Sequence, residues 1–463
     1  MGHVVRRIAL SVTLLLLAQG ASAIGVHPDN SRWFVDDGRP VALFGSGYWT
    51  IIPDPTVDIE EHNAWYAGWG ANANRAALFA FCTGVEDGRG LGPWLRTGPG
   101  LANDGQPKFD LEQPNPAFWE RYHAYMESCE RHGIYVLLQI FDEPFVEGGR
   151  DRWFLNPFNQ ENNVNDLPGL PGGDGSGEAA FYDPENAPLM AVQDALVRRL
   201  LDESAAYDHI VYEIGNEINM DSVVPTAAAW QRHWVDFFRA YAREHDRKLL
   251  LTNDTRRDLM EHDLDGFPVI NHHGFTHFRI PGSKPLDLAR TVRDAVYKDY
   301  EAYQRPIVNS RPCSDPDRRD YPDVATEEEG RVLYWSYFLS GGHVIGFRTT
   351  KESRTDGEAA ERILKHLHAF IDRTPFVDMA PAPDKIEGNA LCLAAPGTAY
   401  ALYLPVGGKA RLDLRGVDAP LTLRWYDPRA GAWTEPEETS AGDWVALEAP
   451  DAGDWAALVT KDD

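Results

Sequence analysis

Cysteine is scarce in this 463-residue chain: Cys82, Cys129, Cys313 and Cys392 lie far apart, with no CxxC pair and no Cys/His cluster. That excludes a zinc finger or ribbon and a disulfide-built scaffold, while leaving room for one or two bridges after export. Basic charge is short as well, since 44 Lys and Arg face 71 Asp and Glu for a formal net charge of -27. Nucleic acid and anionic membrane surfaces, both of which need a positive footprint, are therefore not expected partners. Beyond the first 23 residues no stretch approaches the roughly 20 apolar residues of a membrane-spanning helix, so the mature chain is expected to be soluble or only peripherally attached. No repeat of solenoid length is present, and no feature bears on the oligomeric state.

What is present begins with an export pattern. Arg6 and Arg7 precede an apolar run over residues 8–18, and Ala21, Ser22 and Ala23 supply the small residues of a cleavage site. Residues 1–23 read as a signal peptide, the mature chain starts near Ile24, and the product is expected to be secreted or periplasmic. The remaining length suits a barrel of about 250 to 400 residues plus a modest appendage. The 14 Trp, 18 Tyr and 20 Phe suit sugar binding, because sugar rings stack their C–H faces on aromatics. Core packing is the competing reading for any single one of them.

Between residues 40 and 350, short apolar runs alternate with amphipathic helical stretches, which predicts parallel strands joined by crossover helices. Eight strands are expected, over 41–45, 73–80, 135–141, 210–214, 249–253, 269–272, 306–309 and 343–347. Between them Phe118, Tyr122, Tyr125, Met126 and Cys129 recur at helical spacing, as do Leu189, Val192, Leu196, Val197 and Leu200, and Trp230, Trp234, Phe237, Phe238 and Tyr241. These stripes are read as helix-to-barrel packing. Two insertions rich in Gly, Pro, Asn and Asp, residues 83–115 and 144–186, follow C-terminal strand ends and are natural walls for a substrate cleft. The tract 167–176 is expected to be mobile. After a Pro-rich joint near Met379 the period changes to two, which predicts a small antiparallel β-sandwich. The fold class is thus α/β: a (β/α)8 barrel over residues 24–378 followed by a β-sandwich domain over 379–463.

The most informative segment runs from His209 to Asn219, where an apolar strand ends in Asn216 and Glu217. Cleaving a glycosidic bond needs a proton on the departing oxygen. A carboxyl in a partly desolvated cleft has a raised pKa and can donate that proton, while a neighbouring amide can bind a sugar hydroxyl. Glu217 is the expected general acid, with Asn216 beside it. Glu213 is expected to be buried or to support the barrel floor. Asp142 and Glu143 directly follow the third strand, so at least one of them should face the cleft as a second acid, a substrate contact or a loop cap.

An Asn-Glu pair at the end of strand four resembles that of the clan A glycoside hydrolases. The opening from His27 to Pro40 is similar to that of a clan A subgroup of bacterial barrel glycosidases related to apiosidases, and the segment from Trp153 to Asn159 resembles that subgroup's loop after strand three. Arg424 to Gly431 is similar to the signature of the β-domain that often ends these chains and carries a collagen-binding label. A packing role is expected here in place of that label. The resemblance implies a hydrolase acting on O-glycosidic bonds of a carbohydrate, needing no metal and no organic cofactor. It also implies that Asn74-Arg75 supplies the arginine beside the nucleophile and that His272 and His273 lie where sugar contacts are made, with a structural role as the alternative for either. Trp49 and Trp335 are candidate stacking platforms, with a place in the helix before strand eight as the alternative for Trp335.

One position departs from the pattern: Arg311 stands at the end of strand seven, where a retaining clan A enzyme carries its nucleophilic glutamate. A guanidinium stays protonated and cannot attack an anomeric carbon. Three readings follow. The second carboxylate comes from elsewhere on the mouth (Asp315, Asp317, Asp142 or Glu143). Alternatively the enzyme inverts through a water, with its carboxyls about 6.5–9.5 Å apart. In the third, the chain binds an acidic sugar without cleaving it and Arg311 recognises the anion.

Overall fold

The computed structural model of the protein describes residues 23–78, 90–142, 145–150, 152–218, 226–253, 266–272, 282–310, 313–314, 326–348 and 358–461. The signal-peptide stretch lies outside them, apart from Ala23.

Eight parallel strands form the centre: β1 (Phe44–Gly47), β2 (Ala73–Ala77), β3 (Tyr135–Asp142), β4 (Ile210–Asn216), β5 (Leu250–Thr252), β6 (Ile270–Asn271), β7 (Ile307–Asn309) and β8 (His343–Arg348). Their hydrogen-bonded order is β5-β4-β3-β2-β1-β8-β7-β6, sequential order wrapped round a ring. Where β5 meets β6, the Thr252 hydroxyl donates to the Val269 carbonyl at 2.9 Å. This is the (β/α)8 barrel expected from the alternation of apolar runs and helices, and all eight strands fall on or beside the predicted runs. The first is displaced toward its C-terminus, because residues 39–41 instead pair with Phe34–Asp36 in a small antiparallel sheet. Gly45 of β1 has no alternative: a Cβ there would sit 1.7 Å from the Ala73 carbonyl of β2.

The barrel interior is built in layers, as the two-residue period of a strand requires. Leu43, Ala73, Leu137, Val211, Leu250, Val269, Val308 and Ile345 form one apolar ring, a residue from each strand or its leading edge, with Ile24 and Phe34 packed against it. The helices lie outside. In α1 (Pro116–His132), Asn115 caps the N-terminus by accepting from Ala117 N–H, and Gly133 ends the helix in the left-handed region at φ 66. Phe118, Tyr122, Tyr125, Met126 and Cys129 are all buried against the barrel, as are the predicted positions of α2 (Ala187–Glu203) and α3 (Ala227–Glu244), with Val192 and Phe237 at the edge. Cys129 and Cys392 are free thiols.

The two insertions fold against each other on the β2–β3 side. Residues Trp94–Leu101 and Pro107–Pro114 form a hairpin, bridged to the second insertion between Phe109 and Asn163. Five asparagines of that insertion, Asn156, Asn159, Asn162, Asn163 and Asn165, fold its turns through side-chain bonds, four of them to backbone carbonyls and Asn165 to the Leu111 N–H. The tract 167–176, expected to be mobile, is anchored instead: Trp153 Nε1 and Asn159 Nδ2 donate to the Pro171 and Gly173 carbonyls, and Leu167 and Leu170 are buried.

The C-terminal strands form a sheet through Ala380–Pro381, Leu391–Ala395, Ala399–Leu404, Trp455–Thr460 and Leu421–Asp427, facing a three-stranded sheet of Ile386–Gly388, Lys409–Asp413 and Trp444–Glu448. Tyr400, Leu402 and Leu404 point between the sheets. Ala399, Ala401 and Tyr403 point the other way and join the barrel core, so this strand is buried on both faces. The joining surface is aromatic: Trp335 stacks on Tyr403 at 5.6 Å and Phe370 on Trp433 at 5.5 Å. It also contains a buried two-pronged ion pair, Arg331 Nε and Nη2 to the Asp454 carboxylate, both 2.8 Å. Trp335 is therefore not a sugar platform. It lies on α5 (Glu327–Leu339), which carries buried residues on every side because the barrel covers one face and the sandwich the other.

Candidate functional site

Two residues beyond the apolar ring on each of β2 to β7 stand Arg75, Gln139, Glu213, Thr252, Asn271 and Ser310, a polar layer on the C-terminal side of the interior. A strand places i and i+2 on the same face, so six successive strands change from apolar to polar at the same depth. That depth is the floor of the barrel mouth.

Glu213 is wholly buried, and an isolated carboxylate there would be strongly disfavoured. Arg75 compensates by gripping it with two N–H groups, Nε at 2.9 Å from Oε2 and Nη2 on Oε1. The same Nη2 donates to Asn216 Oδ1 at 2.7 Å, which fixes the amide's orientation. Asn216 Nδ2 must then face away, and it donates to Asp142 Oδ1 at 2.5 Å. A charged pair on the floor thus orients an amide, and the amide positions a carboxyl.

Asp142 is 7% exposed, and burial pushes its pKa up to about 7. The Asn216 hydrogen bond opposes that rise, and the nearby negative charge of Glu217 adds to it. Glu217 is half-buried at the end of β4 with φ 54, a left-handed backbone that a residue with a Cβ adopts at a cost of about 1 kcal/mol or more. Strain of this kind persists where the surroundings over-determine it. Trp49, in the loop after β1, is half-buried with Nε1 bonded to Gln139 Oε1 at 2.7 Å, and its ring lies 5.7 Å from that of Phe145.

The residues expected at the site separate accordingly. Asp142, Asn216, Arg75, Glu217 and Trp49 lie at the mouth, and Glu213 forms its floor. His272 does not reach it. Its Nε2 is 2.7 Å from Asp299 on α4 (Pro285–Tyr303), and its Nδ1 is 3.3 Å from the Tyr337 hydroxyl on α5. The cause is alternation: Asn271 takes the inner face, so the following residue turns out toward the helices. Glu143, His273 and Arg311 lie outside the described residues, as do Asp315 and Asp317. Gln139 and Asn271 were not anticipated, although the i+2 step from Leu137 and Val269 is a signal that finds both. Among the described residues no group of three or more His, Cys, Asp or Glu side chains could hold a metal ion.

Residues 91–266 match the family described as a domain of unknown function, DUF6298, a segment that includes the hairpin, the asparagine-rich insertion and the ends of β3 and β4. The match spans less than half of the chain. No curated protein matches the sequence. In structure the chain is similar to a glycoside hydrolase family 5 protein from Bacteroides vulgatus, with TM-score 0.67 at 12% identity, covering 95% of this chain and 93% of that one. It is also similar to an endo-1,4-beta-mannanase from Rhizomucor miehei, with TM-score 0.51 at 12% identity over 76% of this chain and 100% of that one. A noncanonic maltogenic alpha-amylase from Thermotoga neapolitana gives TM-score 0.52 at 13% identity, over 90% and 98%. The names of these neighbours span different glycans, so the likeness shows the (β/α)8 fold and leaves activity and substrate open.

Proposed function

We propose that the protein is a glycoside hydrolase cleaving O-glycosidic bonds of a poly- or oligosaccharide, with Glu217 as general acid/base and Asp142 as the second carboxyl. The observation that carries this reading is the chain from Glu213 through Arg75 and Asn216 to Asp142, which ends beside Glu217 at the barrel mouth. Two carboxyls that feel each other's charge titrate as a pair, and this pair keeps one proton up to about pH 7. That proton passes to the glycosidic oxygen as its bond to the anomeric carbon breaks, while the remaining carboxylate charge stabilises the cationic sugar. Water then adds its oxygen to the anomeric carbon and returns a proton to the pair. Trp49 offers a ring face to the sugar, and no metal or organic cofactor takes part.

The reading includes the clan A subgroup related to apiosidases and export from the cell. Burial of Ile24, whose N–H donates to the Asp208 carbonyl at 2.8 Å, supports a folded chain that starts where the cleavage pattern ends. Among the described residues no helix is long and apolar enough to cross a membrane.

The pH dependence of kcat/KM tests the assignment. Asp142 is raised above the ordinary carboxyl range, so the proton-carrying form is lost as pH rises through about 7, and activity should fall roughly tenfold per pH unit above that value. A rate that stays level from pH 6 to 9 would remove Asp142 from the pair.

A further inference from the structure

The polar layer on the barrel floor satisfies itself at most of its strands. Arg75 and Glu213 pair with each other, Gln139 accepts from Trp49, and the Thr252 hydroxyl donates to the Val269 carbonyl. Asn271 of β6 differs. Its Oδ1 accepts from the Ser310 N–H at 3.3 Å, while its Nδ2 has no partner among the described residues although the residue is only 6% exposed. The amide cannot be turned over to relieve this, because its nitrogen would then face the Ser310 N–H, donor against donor. Buried N–H groups are nearly always paired in native structures, and an orphan held in a fixed orientation calls for a partner from outside the chain.

The position indicates what that partner is. Asn271 is in register with Val308, which gives it the inner face, and it stands two residues beyond Val269 of the apolar ring, as Arg75 and Glu213 stand two beyond Ala73 and Val211. Strands β2 and β6 are four apart in the ring, which puts Asn271 across the floor from Arg75 and on the far side of β5 from Glu217. A sugar lying over this floor with its scissile bond at β3 and β4 turns another edge toward β6. We infer that Asn271 binds substrate, its Nδ2 donating a hydrogen bond to a sugar oxygen on the ring edge remote from Asp142 and Glu217. The inference rests on the reading of the mouth as a glycosidase site. Any acceptor oxygen fits: a hydroxyl, a ring oxygen or a uronate carboxylate.

The test is isothermal titration of the Glu217→Gln chain, in which hydrolysis is suppressed, with p-nitrophenyl gluco-, galacto-, manno- and xylopyranoside, arabinofuranoside and glucuronide. The tightest binder is then titrated into the same chain carrying Asn271→Ala or Asn271→Asp. Loss of one hydrogen bond predicts about tenfold weaker binding for Asn271→Ala. Asn271→Asp keeps an acceptor for Ser310 but offers no N–H, so it should restore the melting temperature without restoring affinity. Affinities within twofold of the parent for both variants overturn the inference. So does recovery of affinity together with melting temperature in Asn271→Asp, which would reduce the amide to a staple for Ser310. Binding that depends on Asn271 in a chain whose wild type hydrolyses nothing would retain this inference and reject the hydrolase reading. Absence of binding by every glycoside removes both.

Discussion

Asp142→Asn is expected to abolish turnover and, at pH 8, to make the protein more stable. The amide keeps the shape and still offers Oδ1 to Asn216, but it can neither hold nor return a proton, so activity should drop by at least about 10²-fold, the lower range for removing a positioned acid or base. The stability effect follows from linkage. With a folded pKa near 7 and an unfolded value near 3.8, the folded state binds the proton more tightly, and stability declines as pH rises between those values. The substitution removes that penalty, so its benefit is small near pH 4, grows through pH 7 and is constant above, at most about 4 kcal/mol. Thermal melts of both proteins at pH 5 and pH 8 measure it. A variant equally destabilised at both values would mean that Asp142 is an ordinary structural carboxylate.

The second large effect concerns the sandwich. Ending the chain at Asp378 would strip Tyr403, Tyr426 and Trp433 from Trp335 and Phe370, and would leave the Arg331 guanidinium without Asp454. The barrel helix α5 would then present an apolar face to water, and the truncated chain is expected to be insoluble or unfolded. A milder variant isolates the charge: Asp454→Ala should cost roughly 3–5 kcal/mol, the range for breaking a buried pair by removing one partner. Tyr403 would lose a hydrogen bond as well, since its hydroxyl donates to the same carboxylate at 3.0 Å. A truncated barrel that is soluble and melts cooperatively near the full-length temperature would show the sandwich to be an independent module.

Much of this organisation was legible in the sequence because strand and helix periods are local. The apolar runs over 135–141 and 210–214 identified β3 and β4, and the apolar stripes of α1 to α3 predicted which faces would be buried. The misreadings came from features that span elements. His272 looked like a mouth residue because it ends a strand, but its neighbour Asn271 already occupies the inner face, and parity alone sends the histidine outward. Trp335 looked like a platform because Tyr403 and Tyr426, which cover it, lie more than 60 residues further along the chain. The apolar character of Val332 to Leu339 on all sides was the available signal, since a helix apolar all round is covered all round. The Arg75–Glu213–Asn216–Asp142 chain could not be read from spacing, because it depends on the register of three strands. The Gly- and Pro-rich tract 167–176 suggested mobility by composition, whereas the Trp153 indole and the Asn159 amide hold its carbonyls.

The central claim is that Glu217 and Asp142 form a hydrolytic pair, and reducing-sugar release from a panel of plant, algal and bacterial polysaccharides tests it most directly, with wild type run beside Glu217→Gln. The account predicts release from at least one glycan by wild type and at least about 10²-fold less by Glu217→Gln, which keeps shape and removes one carboxyl of the pair. Equal release by both proteins, or binding by wild type without release from any glycan, would contradict it.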